Sequence, residues 1–152
     1  MELELKHILP YLDFGIKAID LQADHGDNVF EITGFSNTKG NIEVFDQYGN
    51  FDIKMSEIKP ILRPLSDLTK EIDVNGEKFI PIEKLNNDFR QNSKDLNICM
   101  FANELSIDID TEDYSQCIDL ADGFRISEKL LEWHFDISGL IENNLAINKN
   151  TL

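Results

Sequence analysis

Long apolar runs, basic residues and cysteine are all scarce in this sequence, and each shortage removes a class of protein. No uninterrupted apolar stretch approaches the roughly 20 residues that a membrane-spanning helix needs. Only 14 lysines and arginines face 29 aspartates and glutamates, leaving a formal net charge of −15 and a pI near 4.4. A surface of that sign does not displace counterions from a phosphate backbone, so direct nucleic-acid binding is not expected. The two cysteines, Cys99 and Cys117, flank no metal-type spacing, and no basic start or signal-length apolar run precedes them. Both are expected to be reduced, small buried hydrophobes of a reducing cytoplasm. The eight glycines are scattered and fit turns, and no Gly/Ser linker or internal repeat divides the chain. A single domain over residues 1–152 is expected.

What is present suffices for a core. At 152 residues and 41% hydrophobic content, with ten phenylalanines, the chain has the size and composition of a folded domain. The surplus acid favours solubility and repels further copies of the chain. A preferred partner carries positive charge.

Periodicity gives the organisation. Ile16, Ala18 and Ile19 are inward candidates in a loose first strand, and residues 29–35 form a better one. Residues 37–40 turn the chain into a return strand from Asn41. After a further turn at 46–50, Phe51, Ile53 and Met55 share one parity while Asp52, Lys54 and Ser56 take the other. Such spacing predicts a meander forming an antiparallel sheet or small partial barrel. Pro60 and Pro64 then exclude a long helix and favour extended backbone before each. Ser66 caps a predicted helical turn, and Asn75-Gly76 predicts a hairpin because both residues tolerate positive φ. Leu85 and Phe89 suit a short helix over 82–89. Two strands follow, joined near Asn103. Finally, Ile126, Leu130, Trp133 or His134, and Ile137 form the stripe of a main helix, widened by Leu131 and Phe135, capped by Ser127 and ended by Gly139. The expected class is α+β, with that C-terminal helix packed on the sheet.

Three blocks carry a resemblance. Lys59-Pro-Ile-Leu-Arg-Pro-Leu-Ser-Asp-Leu-Thr-Lys-Glu-Ile, continuing into Asn75-Gly-Glu-Lys-Phe, resembles the middle of a group of small uncharacterised proteins encoded by phages and prophages of Bacteroidetes. Leu131-Glu-Trp-His-Phe-Asp, with Gly139-Leu-Ile-Glu and Leu145-Ala-Ile, resembles their end, and Leu3-Glu-Leu-Lys-His-Ile-Leu-Pro-Tyr-Leu their start. The resemblance implies a phage or prophage origin and action in the bacterial cytoplasm. By analogy it implies opposition to host defences, as by an anti-CRISPR protein.

Acid residues concentrate late in the chain. Glu104, Asp108, Asp110, Glu112, Asp113, Asp119 and Asp122 lie in a run without lysine or arginine. On a strand, Asp108 and Asp110 share a face about 6.6 Å apart, near the spacing of successive phosphates on a nucleic-acid strand. Such a face can imitate a phosphate backbone and occupy a cationic groove, with salt-dependent association. The plainer reading is a solvated face that maintains solubility. The same run resembles a calcium loop, yet Asp113 stands where that loop needs glycine and Asp119 where it needs glutamate. No resident metal or cofactor is expected.

Other chemistry is weakly supported. His134 reads as a packed histidine with one hydrogen bond, Trp133 as core, and His7 and His25 as isolated. Nucleophile elbows and phosphate-cradling glycine loops are missing, so the chain is not expected to be an enzyme. Arg63, Arg90 and Arg125 read as ion-pair partners for surplus carboxylates, Arg63 with Asp67. The leading expectation is an acidic binding protein that inhibits or modulates a basic host protein, a nucleic-acid-binding effector being the favoured kind. The alternatives are a self-associating phage structural protein and, last, a carboxylate-metal enzyme.

Overall fold

The computed structural model describes residues 2–22, 29–36, 38, 40–46, 48–90, 96–101, 104–109 and 120–152. In chain order its elements are α1 (Leu5–Ile8), β1 (Lys17–Asp20), β2 (Val29–Phe35), β3 (Asn41–Asp46), β4 (Gly49–Lys54), β5 (Ile58–Leu62), β6 (Ile72–Val74), β7 (Glu77–Phe79), α2 (Pro81–Arg90), β8 (Leu96–Phe101), β9 (Glu104–Ile109), α3 (Leu120–Glu132) and β10 (Ile147–Asn148). Short 3-10 turns cover Leu9–Phe14, Met55–Glu57, Leu65–Thr69 and Lys149–Thr151. The class is α+β. The chain divides into two compact units, Met1–Pro64 with Leu131–Leu152, and Leu65–Leu130.

The first unit is built on a six-stranded sheet in the order β10-β5-β1-β2-β3-β4. All its pairings are antiparallel except that of β10 with β5. The period-2 pattern places Phe30 and Ile32 of β2 and Ile42 and Val44 of β3 in the core, while Glu31 and Thr33 remain exposed. Burial of each large apolar side chain contributes about 1.5–3 kcal/mol, so these alternating positions supply much of the unit's stability. A register shift between Ile32 and Gly34 then brings Phe35 opposite Ile42.

The partial barrel expected from the meander does not form. The sheet is open, with β4 at one edge and β10 at the other. Closure needs a continuous ladder between the outer strands. The two-residue β10 pairs only Ile147 with Ile61 and Asn148 with Leu62.

At the start of this unit, Pro10 opens the 3-10 turn and Gly15, at φ 66, ends it. The turn places Tyr11 fully in the core, and Ile8 of α1 lies beside it there. The sequence pattern had not marked this segment as structured.

The second unit contains two hairpins, β6–β7 and β8–β9, and the helix α2, which packs on β8 and on the turn at Leu65–Thr69. The predicted Asn75-Gly76 turn is present, with φ of 54 and 87. Pro81 opens α2, where its missing N–H costs nothing. Leu85 and Phe89 are buried as their spacing requires, and Leu68 is buried too.

The main helix differs from its predicted bounds. It begins at Leu120, so Ser127 lies inside it, where its Oγ donates to the Gly123 carbonyl at 3.0 Å instead of capping. It stops at Glu132, and His134, at φ 60, turns the chain aside before Gly139 is reached. Ile126, Leu130 and Trp133 are buried as expected, whereas Ile137 lies beyond the helix and is 40% exposed.

Candidate interaction surface

Part of the late acidic run falls on described backbone. β9 carries Glu104 opposite Phe101 and Asp108 opposite Asn97 of β8, and Asp122 is the third residue of α3. Asp110, Glu112, Asp113 and Asp119 lie outside the described residues, as does Cys117. The predicted pair of strands around Asn103 is therefore present, and it places Glu104 and Asp108 on one strand at the same parity.

A second acidic surface lies on the sheet of the first unit. Cross-strand register sets Lys17, Glu31, Phe45 and Asn50 in one row, and Glu43 beside Asp52 in the next. The inward side of the same strands is apolar, so these residues form the outward side. Glu31, Phe45, Asn50 and Asp52 are exposed and Glu43 is half-buried. Two glycines make room for this layer. A Cβ at Gly34 would stand 3.4 Å from Glu43 Oε2, and one at Gly15 would stand 3.4 Å from Glu31 Oε1. Ser36 Oγ donates to Asp52 Oδ2 beside it. Sequence reading concentrated on the contiguous run and missed this surface. The available signal was the outward parity of β2, β3 and β4, whose carboxylates are distant in sequence.

Buried polar groups in the first unit serve its own backbone. Asp136, 5% exposed, accepts from the N–H groups of Leu140 at 2.9 Å, Ile141 at 2.7 Å and Ser138 at 3.3 Å. Its own N–H donates to the Arg63 carbonyl, and the Arg63 N–H donates to the His134 carbonyl, both at 2.8 Å. The Tyr11 hydroxyl donates to the Phe135 carbonyl at 2.8 Å, and burial raises its pKa. His134 Nε2 lies 2.8 Å from the Phe14 carbonyl oxygen. A carbonyl can only accept, so Nε2 carries the proton and Nδ1 is the site left to titrate. Burial lowers the His134 pKa, against the opposing pull of that carbonyl. This matches the packed, singly bonded histidine expected, though it stands past the helix and not on it.

A hollow of about 300 Å³ in the first unit is lined by Leu3, Leu21, Met55, Ile58 and Leu145, with Glu2, Ser56 and Lys59. The Lys59 ammonium donates to Asn144 Oδ1 at 2.7 Å, and no histidine or cysteine joins it there. The Lys70 ammonium donates to Asp67 Oδ1 at 2.7 Å. Among the described residues, no three histidine, cysteine or acidic side chains gather as a metal site. None of the described helices is long and apolar enough to cross a membrane. Comparison with family models, with curated proteins and with solved structures returns no match to this chain.

Proposed function

We propose that this chain is an acidic binding protein, of phage or prophage origin, that engages a basic protein of its bacterial host and inhibits or modulates it. A nucleic-acid-handling protein is the favoured target, because a cationic groove shaped for phosphates also accepts an ordered array of carboxylates. The observation that carries the reading is the display of charge. Among the carboxylates whose burial is described, only Asp67 and Asp136 are buried, and the others are exposed or half-buried. Lys6 pairs Glu4, Lys54 pairs Glu57 and Lys84 pairs Glu77, each with at least one partner well exposed, and such surface pairs hold charge only loosely.

Two contacts are proposed for such a partner: the sequence run Glu104, Asp108, Asp110, Glu112, Asp113, Asp119 and Asp122, and the sheet face with Glu31, Glu43 and Asp52. The test is displacement of duplex DNA from a cationic DNA-binding protein of the host, followed by fluorescence anisotropy over a salt series. Displacement that weakens steeply with salt supports the proposal. Displacement indifferent to salt, or none with any such protein, overturns it. Glu104→Lys with Asp108→Lys, set beside Glu31→Lys with Asp52→Lys, assigns the contact to one array. A stable closed oligomer without any host factor would favour a phage assembly protein instead.

A further inference from the structure

We infer that Asn75 is a site of spontaneous backbone-assisted deamidation, and that the β6–β7 hairpin controls the reaction through the hydrogen bond between Gly76 and Asp73. The inference does not depend on the proposed partner. It rests on the chemistry of an asparagine followed by glycine and on how this turn holds the two.

In the reaction, the Gly76 backbone nitrogen attacks the Asn75 side-chain carbonyl carbon, Cγ. The N–Cγ bond forms and the Cγ–Nδ2 bond breaks. Ammonia leaves, carrying away the proton lost from the Gly76 nitrogen. Water then opens the resulting succinimide at either carbonyl, giving aspartate or isoaspartate. Glycine favours the attack because no Cβ obstructs the approach of its nitrogen. At Gly76 the surroundings are open as well: a Cβ built there meets nothing within 4 Å. Both Asn75 and Gly76 are exposed, so water has access.

The closed turn opposes that attack in two ways. Its φ values of 54 and 87 belong to a two-residue turn that fixes the backbone on both sides of the Asn75–Gly76 bond. The Gly76 N–H donates to Asp73 Oδ1 at 2.9 Å, which holds the nucleophile on a carboxylate and away from Asn75. Ring closure needs that hydrogen bond broken and the backbone after Asn75 rotated. The hairpin therefore reacts when open.

Opening is easy here. β6 and β7 have three residues each, and a two-stranded ribbon of that length is marginal by itself. Only Ile72 of the pair is buried. Closure is assisted from α2, where Lys84 stands 4.3 Å from the centre of the Phe79 ring and pairs with Glu77. The aspartate product keeps a residue tolerant of positive φ and adds one carboxylate to an already acidic surface. The isoaspartate product inserts an extra backbone atom and cannot retain a two-residue turn.

The test is incubation of the whole chain in mildly alkaline buffer, beside a synthetic peptide covering residues 71–79. Peptide mass mapping then follows amide-to-acid conversion at every asparagine. Conversion is expected first at Asn75, about tenfold or more slowly in the folded chain than in the peptide. Asp73→Ala is expected to raise the folded-chain rate several-fold, with circular dichroism confirming that the variant is folded. Conversion at Asn75 no faster than at other exposed asparagines overturns the site. Equal rates in chain and peptide, or a folded Asp73→Ala with an unchanged rate, overturn control by the hairpin. Urea-unfolded chain supplies the same comparison should that variant fail to fold: matching the peptide supports gating, whereas matching the native rate overturns it.

Discussion

Asp136, Tyr11 and His134 show how single side chains set local stability. Asp136 satisfies three backbone donors in a setting nearly closed to water. Asp136→Ala is expected to cost about 2–4 kcal/mol in urea denaturation, since buried donors lose a charged acceptor. Asp136→Asn should cost less, because Oδ1 still accepts; equal losses would refute the account. Tyr11→Phe removes one buried hydroxyl bonded to Phe135 and should cost about 1 kcal/mol. His134 contributes a pH dependence. Its folded pKa lies below the unfolded value of about 6.5, so the unfolded chain binds the proton first. Its contribution to stability is present above about pH 6.5 and is lost as pH falls through the folded pKa. Replacing it by asparagine, which tolerates the same positive φ, should flatten the stability profile over that window. An unchanged profile would remove His134 as the cause.

At the scale of elements, the entry to the sheet depends on one backbone conformation. Gly15 ends the first 3-10 turn at φ 66, and β1 follows within two residues. Gly15→Ala forces a Cβ into a left-handed residue beside Glu31 and should cost about 1–2 kcal/mol by thermal melting. Adding Glu31→Gln should leave that loss nearly intact, because the strain lies in the backbone. In the second unit, Leu85 is fully buried on α2 between a 3-10 turn and β8. Leu85→Ala should cost about 2–5 kcal/mol, read as a lower urea midpoint. A loss under about 1 kcal/mol would mean that α2 is not held by this face.

Across the whole molecule, charge is the dominant property. A net charge of −15 repels like chains, so sedimentation at low salt should find a monomer, with association rising only as salt screens the repulsion. The same screening should weaken capture of a basic partner. These two responses to salt have opposite sign, which makes them a joint check on the proposed function. Self-association strongest at low salt would contradict the first response, and partner capture indifferent to salt would contradict the second.

Residues near one another in the chain were the legible part. The alternation of Phe30, Glu31 and Ile32 predicted β2, Asn75-Gly76 predicted its hairpin, and Leu85 with Phe89 predicted α2, because each signal is complete within a few residues. The surplus of acid needed only composition. Tertiary structure alone decided the rest. Tyr11 meets Phe135, β10 joins β5 in parallel, and Glu31, Glu43 and Asp52 come together only through strand register. The start of α3 was misjudged because Ser127 is an equally good cap or interior back-bonding residue until the preceding turn is known. Local propensity acts through neighbouring dihedrals, whereas these contacts join residues far apart in the chain, and only burial of a shared core selects them.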